Sequence, residues 1–228
     1  MGPVLLAGSG QPTSKVFRTL MRRAFDRPDR KSTGKKPRVA LSLAPIAETP
    51  AIVRKFASWF TPAIFHGAEV ERFTVAGEPD AMPEARAKEI VERADLIFLS
   101  GGDPVVGARL FTESGADVWL REARARGAAL AGGSAGAILL GAFWASWPDE
   151  PDGRPFDGGE LVRCTGVVPD LVLDTHAEED EWAELSLVRG MLEARGERVR
   201  LRGIPTGGGL IVDGEGALEE IGDPPFQP

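Results

Sequence analysis

Short apolar runs alternate along this chain with stretches that carry the 3.6-residue periodicity of amphipathic helices. The clearest run, residues 95–100, is almost continuously apolar and leads directly into a Gly-Gly pair. Such a run is typical of a strand that is buried on both faces of a sheet. The alternation of strands with helices predicts an α/β fold in which a mainly parallel central sheet carries helices on both faces.

The pattern predicts an element order over the whole chain. Strands are expected at 3–7, 38–43, 68–75, 95–100, 128–131, 167–175, 209–212 and 217–221. Helices are expected at about 16–25, 49–60, 83–94, 118–126, 137–140 and 178–195. The segment 143–160 is rich in Pro, Gly, Asp and Trp, so it is expected to be irregular. A length of 228 residues suits one domain, 1–228.

Charge and cysteine content exclude several classes of function. The chain has 27 Lys and Arg against 34 Asp and Glu, a net charge of −7 that is opposite in sign to a nucleic-acid binder. The single Cys164 excludes an intrachain disulfide, and two histidines do not make a zinc cluster. Residues 8–10 and 32–36 lack the full spacing of nucleotide-binding loops. We therefore expect a cytoplasmic protein without metal, cofactor or nucleic-acid partner.

One stretch is long enough to cross a membrane and needs an interpretation. Residues 127–147 carry no charge, but Ser134 and four glycines interrupt the apolar run. A buried strand, turn and helix explain this pattern better than a membrane span does. The apolar run at the N-terminus is also too short for a signal peptide. No membrane partner is expected.

Residues 132–136 (GGSAG) match the G-x-S-x-G pattern of a nucleophile elbow. A strand is predicted before the motif and a helix after it, which is the context that this pattern requires. The sharp turn needs small residues two positions before and after the serine, so that strand and helix can pass closely. Ser134 is therefore the candidate nucleophile, although an ordinary turn in a Gly-rich chain is the alternative.

A serine nucleophile needs a base, and histidine is the usual one. His176 follows an apolar strand, and strand ends are where site residues gather in α/β sheets. His66 lies between a helix and a strand and is interpreted as an exposed loop residue. His176 is the candidate base.

The third member of a triad and the oxyanion donors are less constrained by the residues alone. Five carboxylates lie between the serine and the histidine, and the sequence does not select among them: Asp149, Glu150, Asp152, Asp157 and Glu160. The second strand-end loop, residues 100–103, supplies backbone N–H groups without side-chain obstruction. An oxyanion hole beside the Ala135 amide needs such groups.

Three motifs together resemble the dipeptidase E and cyanophycinase family of serine peptidases, which has a class I glutamine amidotransferase-like fold. They are residues 98–103 (FLSGGD), 133–137 (GSAGA) and 165–169 (TGVVP) leading to His176. The similarity continues to the tail at 207–212 and so covers nearly the whole chain. The resemblance implies that Ser134 is the nucleophile, His176 the base and Asp149 the acid, with Glu150 in reserve.

The resemblance also implies an oxyanion hole formed by the amides of Gly102 and Ala135. The substrate would contact Gly101 and Asp103 in the same loop. The implied activity is hydrolysis of short peptides through an acyl-enzyme.

Substrate recognition is where the chain departs from the family. Members commonly place arginines shortly after the histidine, whereas residues 178–181 here are all acidic. We therefore expect neutral or basic N-terminal residues to be accepted at least as well as aspartate, with Glu178 near the substrate amine. Trp144 and Trp147 are expected to wall the cleft, and core packing is their alternative role.

Other functions remain as alternatives. An amidotransferase-like binding or regulatory module could keep the elbow without turnover, and an esterase shares the order of serine, acid and histidine. A glutamine amidotransferase would need a cysteine at position 134. The expected partner is a short peptide, and a homodimer is compatible with the sequence.

Overall fold

A computed structural model describes residues 1–26, 36–46, 50–147 and 159–228. The strands in these ranges are β1 (Val4–Ala7), β2 (Arg38–Ser42), β3 (Glu69–Arg72), β4 (Leu96–Leu99), β5 (Ala129–Gly133), β6 (Phe143–Ser146), β7 (Glu160–Arg163), β8 (Leu171–Thr175), β9 (Arg200–Ile204), β10 (Gly208–Val212) and β11 (Leu218–Gly222). The helices are α1 (Lys15–Phe25), α2 (Pro50–Ala57), α3 (Glu84–Arg93), α4 (Pro104–Glu113), α5 (Ala116–Ala125), α6 (Ala135–Leu139) and α7 (Ala183–Ala194).

The main sheet has seven strands in the order β11-β10-β1-β5-β4-β2-β3. Strands β1, β5, β4, β2 and β3 are parallel to one another. Strands β10 and β11 extend the β1 edge of the sheet and pair in antiparallel fashion. Gly132 of β5 pairs with Leu6 on one side and with Leu99 on the other. The predicted mainly parallel α/β sheet is confirmed, and β5 ends near its centre.

Both faces of the sheet are covered. Along β4, Leu96 and Phe98 belong to one apolar cluster, whereas Ile97 and Leu99 belong to the other. Helices α1 and α2 contribute to the first cluster, and α3, α5 and α7 contribute to the second. The continuous apolar run at 95–100 thus forms a strand buried on both faces, as predicted.

The acidic segment after His176 is not helical, contrary to the prediction. Helix α7 begins at Ala183, because Glu181 and Trp182 have positive φ angles of 51° and 59°. Trp182 is buried and stacks on Phe226 with ring centroids 5.7 Å apart. This packing outweighs local helix propensity, so the acidic residues 178–181 lie before the first helical turn.

The segment expected to be irregular is partly ordered. Phe143–Ser146 (β6) pairs with Glu160–Arg163 (β7) in an antiparallel hairpin, and residues 148–158 lie outside the described ranges. Strand β9 and helix α4 were not predicted. For α4 the sequence does carry a signal, since Asp103 caps the helix and Pro104 occupies its first turn.

The uncharged stretch 127–147 forms β5, α6 and β6, as its glycines indicate. Among the described residues, no helix is both long and apolar enough to span a membrane.

Candidate active site

Ser134 lies at the turn between β5 and α6, in a backbone conformation that residues other than glycine rarely adopt. Its φ is 55° and its ψ is −129°, and its amide donates to the Ala7 carbonyl at 3.0 Å. A conformation of this kind costs about 1–3 kcal/mol and persists only where the surrounding structure enforces it. Strain held at a strand-to-helix turn is the geometry of a nucleophile elbow.

The turn is possible because its neighbours lack side chains. A Cβ at Gly132 would lie 2.2 Å from the Gly136 carbonyl oxygen, and a Cβ at Gly136 would lie 2.2 Å from the Leu99 carbonyl oxygen. The close approach that the motif predicts at both positions is confirmed. Strand, turn and helix therefore fit together only with glycine at these two sites.

Ser134 and His176 meet, although they are 42 residues apart. Ser134 Oγ lies 2.8 Å from His176 Nε2, which is hydrogen-bonding distance. His176 follows directly after β8, and its amide donates to the Ile204 carbonyl of β9 at 2.9 Å. The pairing of β8 with β9 thus holds the imidazole against the elbow. His66 is exposed and packs edge-on against Phe25.

The loop after β4 lies against the serine. A Cβ at Gly101 would be 3.2 Å from Ser134 Cβ. Gly102 has a φ of 142°, and a Cβ there would lie 2.4 Å from the Pro45 carbonyl oxygen. In the described part of the chain, neither the Gly102 amide nor the Ala135 amide donates a hydrogen bond to the protein. Both N–H groups are therefore available to a ligand beside Ser134.

Asp103 has a structural role as well as a place at the site. Its Oδ1 accepts hydrogen bonds from Val105 N at 2.7 Å and Val106 N at 3.1 Å, and it thereby caps α4. Asp103 also lines the cavities on both sides of the serine. Its predicted substrate contact stays a prediction.

Two cavities flank Ser134, and they differ in chemistry. The first, of about 480 Å³, has an apolar wall formed by Ile46, Phe56, Trp59, Phe60 and Val106. The residues of this wall come from three separate segments, so no local pattern in the sequence predicts it. The second cavity, of about 570 Å³, is lined by Trp144, Trp147 and His176 together with several carboxylates. Trp144 is buried in the core and also lines this cavity, and its contact with substrate stays a prediction.

The carboxylates of the second cavity include Asp174 at the end of β8. Asp174 is only 4% exposed, and its Oδ1 accepts a hydrogen bond from Thr175 N at 2.7 Å. Burial raises the pKa of this carboxyl to about 7, and the nearby Glu184, Asp180 and Glu178 add to the shift. Asp174 is not among the site residues that the sequence predicts. Its signal is a single carboxylate within the apolar run of 171–175.

Glu184 lies in the first turn of α7 and contributes a second carboxylate. Trp147 Nε1 donates a hydrogen bond to Glu184 Oε1. Burial raises the pKa of Glu184, this hydrogen bond lowers it, and neighbouring Asp180 raises it, with a net increase. Asp180, in the turn before the helix, lines the same cavity, as does Asp103 of the α4 cap.

Glu178 forms a hydrogen bond outside both cavities. Its carboxylate accepts a hydrogen bond from Thr206 N at 2.5 Å. Burial alone would raise the pKa of Glu178, but this hydrogen bond and the nearby His176 hold it below its ordinary value. Glu178 is not among the residues that line either cavity. Its contact with substrate stays a prediction.

The acid of the predicted triad falls outside the described residues. Asp149, Glu150, Asp152 and Asp157 all belong to the segment 148–158. Glu160, the remaining candidate, is exposed at the start of β7 and does not line either cavity.

Comparison with solved structures supports the fold. A peptidase from an acI-B1 Actinobacterium is 21% identical, with a TM-score of 0.76 over 98% of this chain and 88% of that chain. A putative peptidase E protein from Listeria monocytogenes EGD-e is 15% identical, with a TM-score of 0.66 over 98% of this chain and 100% of that chain. The comparison with curated protein sequences found no match.

The family is shown by the sequence itself. Residues 6–219 match the model of peptidase family S51, and this range includes the elbow, the Gly-Gly loop and His176. The resemblance described from three short motifs is therefore confirmed over nearly the whole length. The chain belongs to peptidase family S51, the dipeptidase E family of serine peptidases.

Proposed function

We propose that the chain hydrolyses short peptides, with Ser134 as the nucleophile and His176 as the general base. The single observation that carries this proposal is the 2.8 Å contact between Ser134 Oγ and His176 Nε2 at a strained elbow. A base within hydrogen-bonding distance of the hydroxyl is what an activated serine requires.

The proposed reaction has two steps. His176 Nε2 takes the proton of Ser134 while Oγ bonds to the peptide carbonyl carbon, and the protonated imidazole then donates to the leaving amine. A water molecule attacks the acyl-enzyme with His176 again as base, which releases the acid product and restores the serine. The amides of Gly102 and Ala135 would stabilise the oxyanion in both steps.

His176 can act in this way only if Nε2 is unprotonated and Nδ1 carries the proton. An acid hydrogen-bonded to Nδ1 would hold that tautomer. Asp149 is the proposed acid because of the family resemblance, with Glu150 and Asp152 as the other candidates. All three lie outside the described residues.

The preference for short peptides is supported by the walls of the second cavity. Trp144 and Trp147 line this cavity together with Ser134, and Trp144 lies in β6, which pairs with β7 in a separate two-stranded sheet. We expect bulky side chains at this position to limit the length of peptide that can reach Ser134. We expect the protein to hydrolyse dipeptides much faster than it hydrolyses casein.

Labelling with a fluorophosphonate tests the nucleophile directly. The wild type should be labelled at Ser134, and Ser134→Ala should lose both labelling and hydrolysis on a dipeptide panel. Ser58→Ala, an exposed serine outside both cavities, is the matched control. Wild-type turnover by Ser134→Ala would overturn the assignment, and an unlabelled wild type would favour the alternative of an inactive module.

Further parts of the proposal rest on the sequence. We treat 1–228 as one peptidase domain, in the cytoplasm, without a nucleic-acid partner, because of the net charge of −7 and the single cysteine. A homodimer is proposed as an assembly to be tested by light scattering.

A further inference from the structure

Asp174 is a buried carboxylate with an unused oxygen. Oδ1 accepts from Thr175 N, whereas Oδ2 has no hydrogen-bond partner within the described part of the chain. Its side chain is 4% exposed and lines the cavity that also contains Ser134 and His176. A buried polar atom without a partner costs free energy, so its presence at a cleft needs a reason.

The neighbours of Asp174 increase that cost. Asp180 and Glu184 line the same cavity, and neither forms an ion pair with a Lys, Arg or His among the described residues. Glu184 Oε1 accepts a hydrogen bond from Trp147 Nε1, and this neutral donor does not balance the charge of the carboxylate. Arg109 of α4 is the one Lys or Arg among the described residues that line the cavity. With Asp103, which caps α4, four carboxylates of the described residues therefore line one cleft against a single arginine, so the cleft has a deficit of positive charge.

A metal ion does not fit this arrangement. In the described ranges, no set of three His, Cys, Asp or Glu side chains is placed to hold a metal. An organic cation is a better match, because an ammonium or guanidinium donates several directional hydrogen bonds that separated carboxylates can accept.

We propose that the Asp174, Asp180 and Glu184 part of this cavity binds a positively charged group of the substrate, so that cationic peptides are the preferred substrates. The charged group is either the free α-amine or a basic side chain. The inference rests on the proposed function, since the carboxylates act on whatever peptide Ser134 attacks. It also assigns a role to the acidic segment 178–181, which stands where family members commonly carry arginines. Of these four acids, Asp180 lines the cavity.

Matched substrates separate the two sources of charge. At pH 8, where Asp174 is mostly ionised, kcat/KM is compared for Arg-Leu against citrulline-Leu and for Leu-Arg against Leu-citrulline. These pairs keep the side-chain shape and remove its charge. Ala-Leu against propionyl-Leu removes only the α-amine. We expect a ratio of at least about tenfold in one of the three pairs, and that pair identifies the source.

Variants link the preference to the acids. Asp174→Asn keeps the acceptor for Thr175 N. For the substrate pair with the largest kcat/KM ratio, this variant should lower that ratio at least about fivefold. Glu181→Gln removes a charge from an exposed side chain outside the cavity and should leave the ratio within about twofold. Asp180→Asn, at an exposed turn, gives the same test if Asp174→Asn does not fold, with an expected decrease of at least about threefold. Ratios below about threefold in every pair overturn the proposal, as does a ratio that Asp174→Asn leaves unchanged.

The fluorophosphonate label distinguishes failure of this inference from failure of the proposed function. A wild type that is labelled at Ser134 but shows no charge preference contradicts only the inference. Protection of Ser134 from labelling by argininamide, compared with citrullinamide, repeats the comparison without turnover. Equal protection by both amides counts against a basic side chain as the bound group.

Discussion

Gly136 passes the end of β4 so closely that a Cβ on it would lie 2.2 Å from the Leu99 carbonyl oxygen and 2.6 Å from the Ser100 carbonyl oxygen. The first turn of α6 is thereby set against the strand that carries the Gly101–Gly102 loop. This contact joins the two halves of the site, because Ser134 precedes Gly136 by two residues and the proposed oxyanion donor Gly102 follows Leu99 by three. The geometry of the elbow and that of the loop are therefore coupled.

Gly136→Ala should disrupt both halves together. The added methyl group meets backbone atoms that cannot rotate away, so we expect a loss of about 1–3 kcal/mol in the free energy of unfolding. Labelling of Ser134 should slow at least about tenfold. Gly190→Ala in α7 is the matched control, because nothing lies within 4 Å of its Cβ position. It should stabilise the helix by up to about 1 kcal/mol. Equal effects of the two substitutions in urea denaturation would contradict this account.

His176→Ala should abolish most of the activity while the fold is retained. His176 is exposed, so its removal leaves no core cavity, but it deprives Ser134 of its base. Loss of one member of such a unit costs about three to six orders of magnitude in kcat. His66→Ala, which removes the other histidine, should keep wild-type rates. The two variants are compared on a dipeptide panel, with circular dichroism to verify folding.

Asp174→Asn should stabilise the protein, and only at neutral or alkaline pH. The pKa of Asp174 is raised from 3.8 to about 7 by burial, with Glu184, Asp180 and Glu178 adding to the effect. The folded state therefore prefers the protonated carboxyl. This contribution to stability is complete below about pH 4 and is lost as the pH rises through about 7.

An asparagine at position 174 does not ionise, so its contribution to stability is not lost as the pH rises. At pH 8 the variant should exceed the wild type by at most about 4 kcal/mol, the equivalent of three pKa units. Near pH 4 the difference should almost vanish. Urea denaturation at both pH values measures it, with Glu181→Gln as the exposed control. A difference that does not change with pH would show that Asp174 is not the group that titrates.

Arg124→Leu should be strongly destabilising. Arg124 is 5% exposed, and its guanidinium donates to three backbone carbonyls, those of Gly2 at 3.2 Å, Val167 at 2.5 Å and Asp213 at 3.1 Å. Removing it leaves acceptors from three distant segments without their donor, at about 1–3 kcal/mol for each buried group. Thermal denaturation of Arg126→Leu gives the comparison, since Arg126 donates only to the adjacent carbonyls of Val91 at 3.4 Å and Glu92 at 3.2 Å. A melting temperature lowered equally in both variants would contradict the prediction.

Much of the fold and part of the site could be predicted from local patterns. The continuous apolar run in β4, the periodicity of α1 and the GGSAG turn each depend on residues that are adjacent in the chain. Steric limits and burial act at that range, so Ser134 and the need for glycine at 132 and 136 followed directly. His176 could be proposed as its partner because only two histidines exist and one follows a strand.

The sequence by itself therefore determined the strand and helix alternation, the elbow and the identity of the family. Only the tertiary structure decided which groups share the cleft, because that depends on how distant segments cross. Asp174 of β8 meets Glu184 of α7 and Trp147 after β6, and Phe56 of α2 reaches the other side of Ser134. The helix expected from Glu178 begins only at Ala183, because Trp182 stacks on Phe226, which lies 44 residues further along the chain. Local propensity is worth tenths of a kcal/mol per residue, whereas burying an aromatic ring is worth a few, so the long-range contact prevailed.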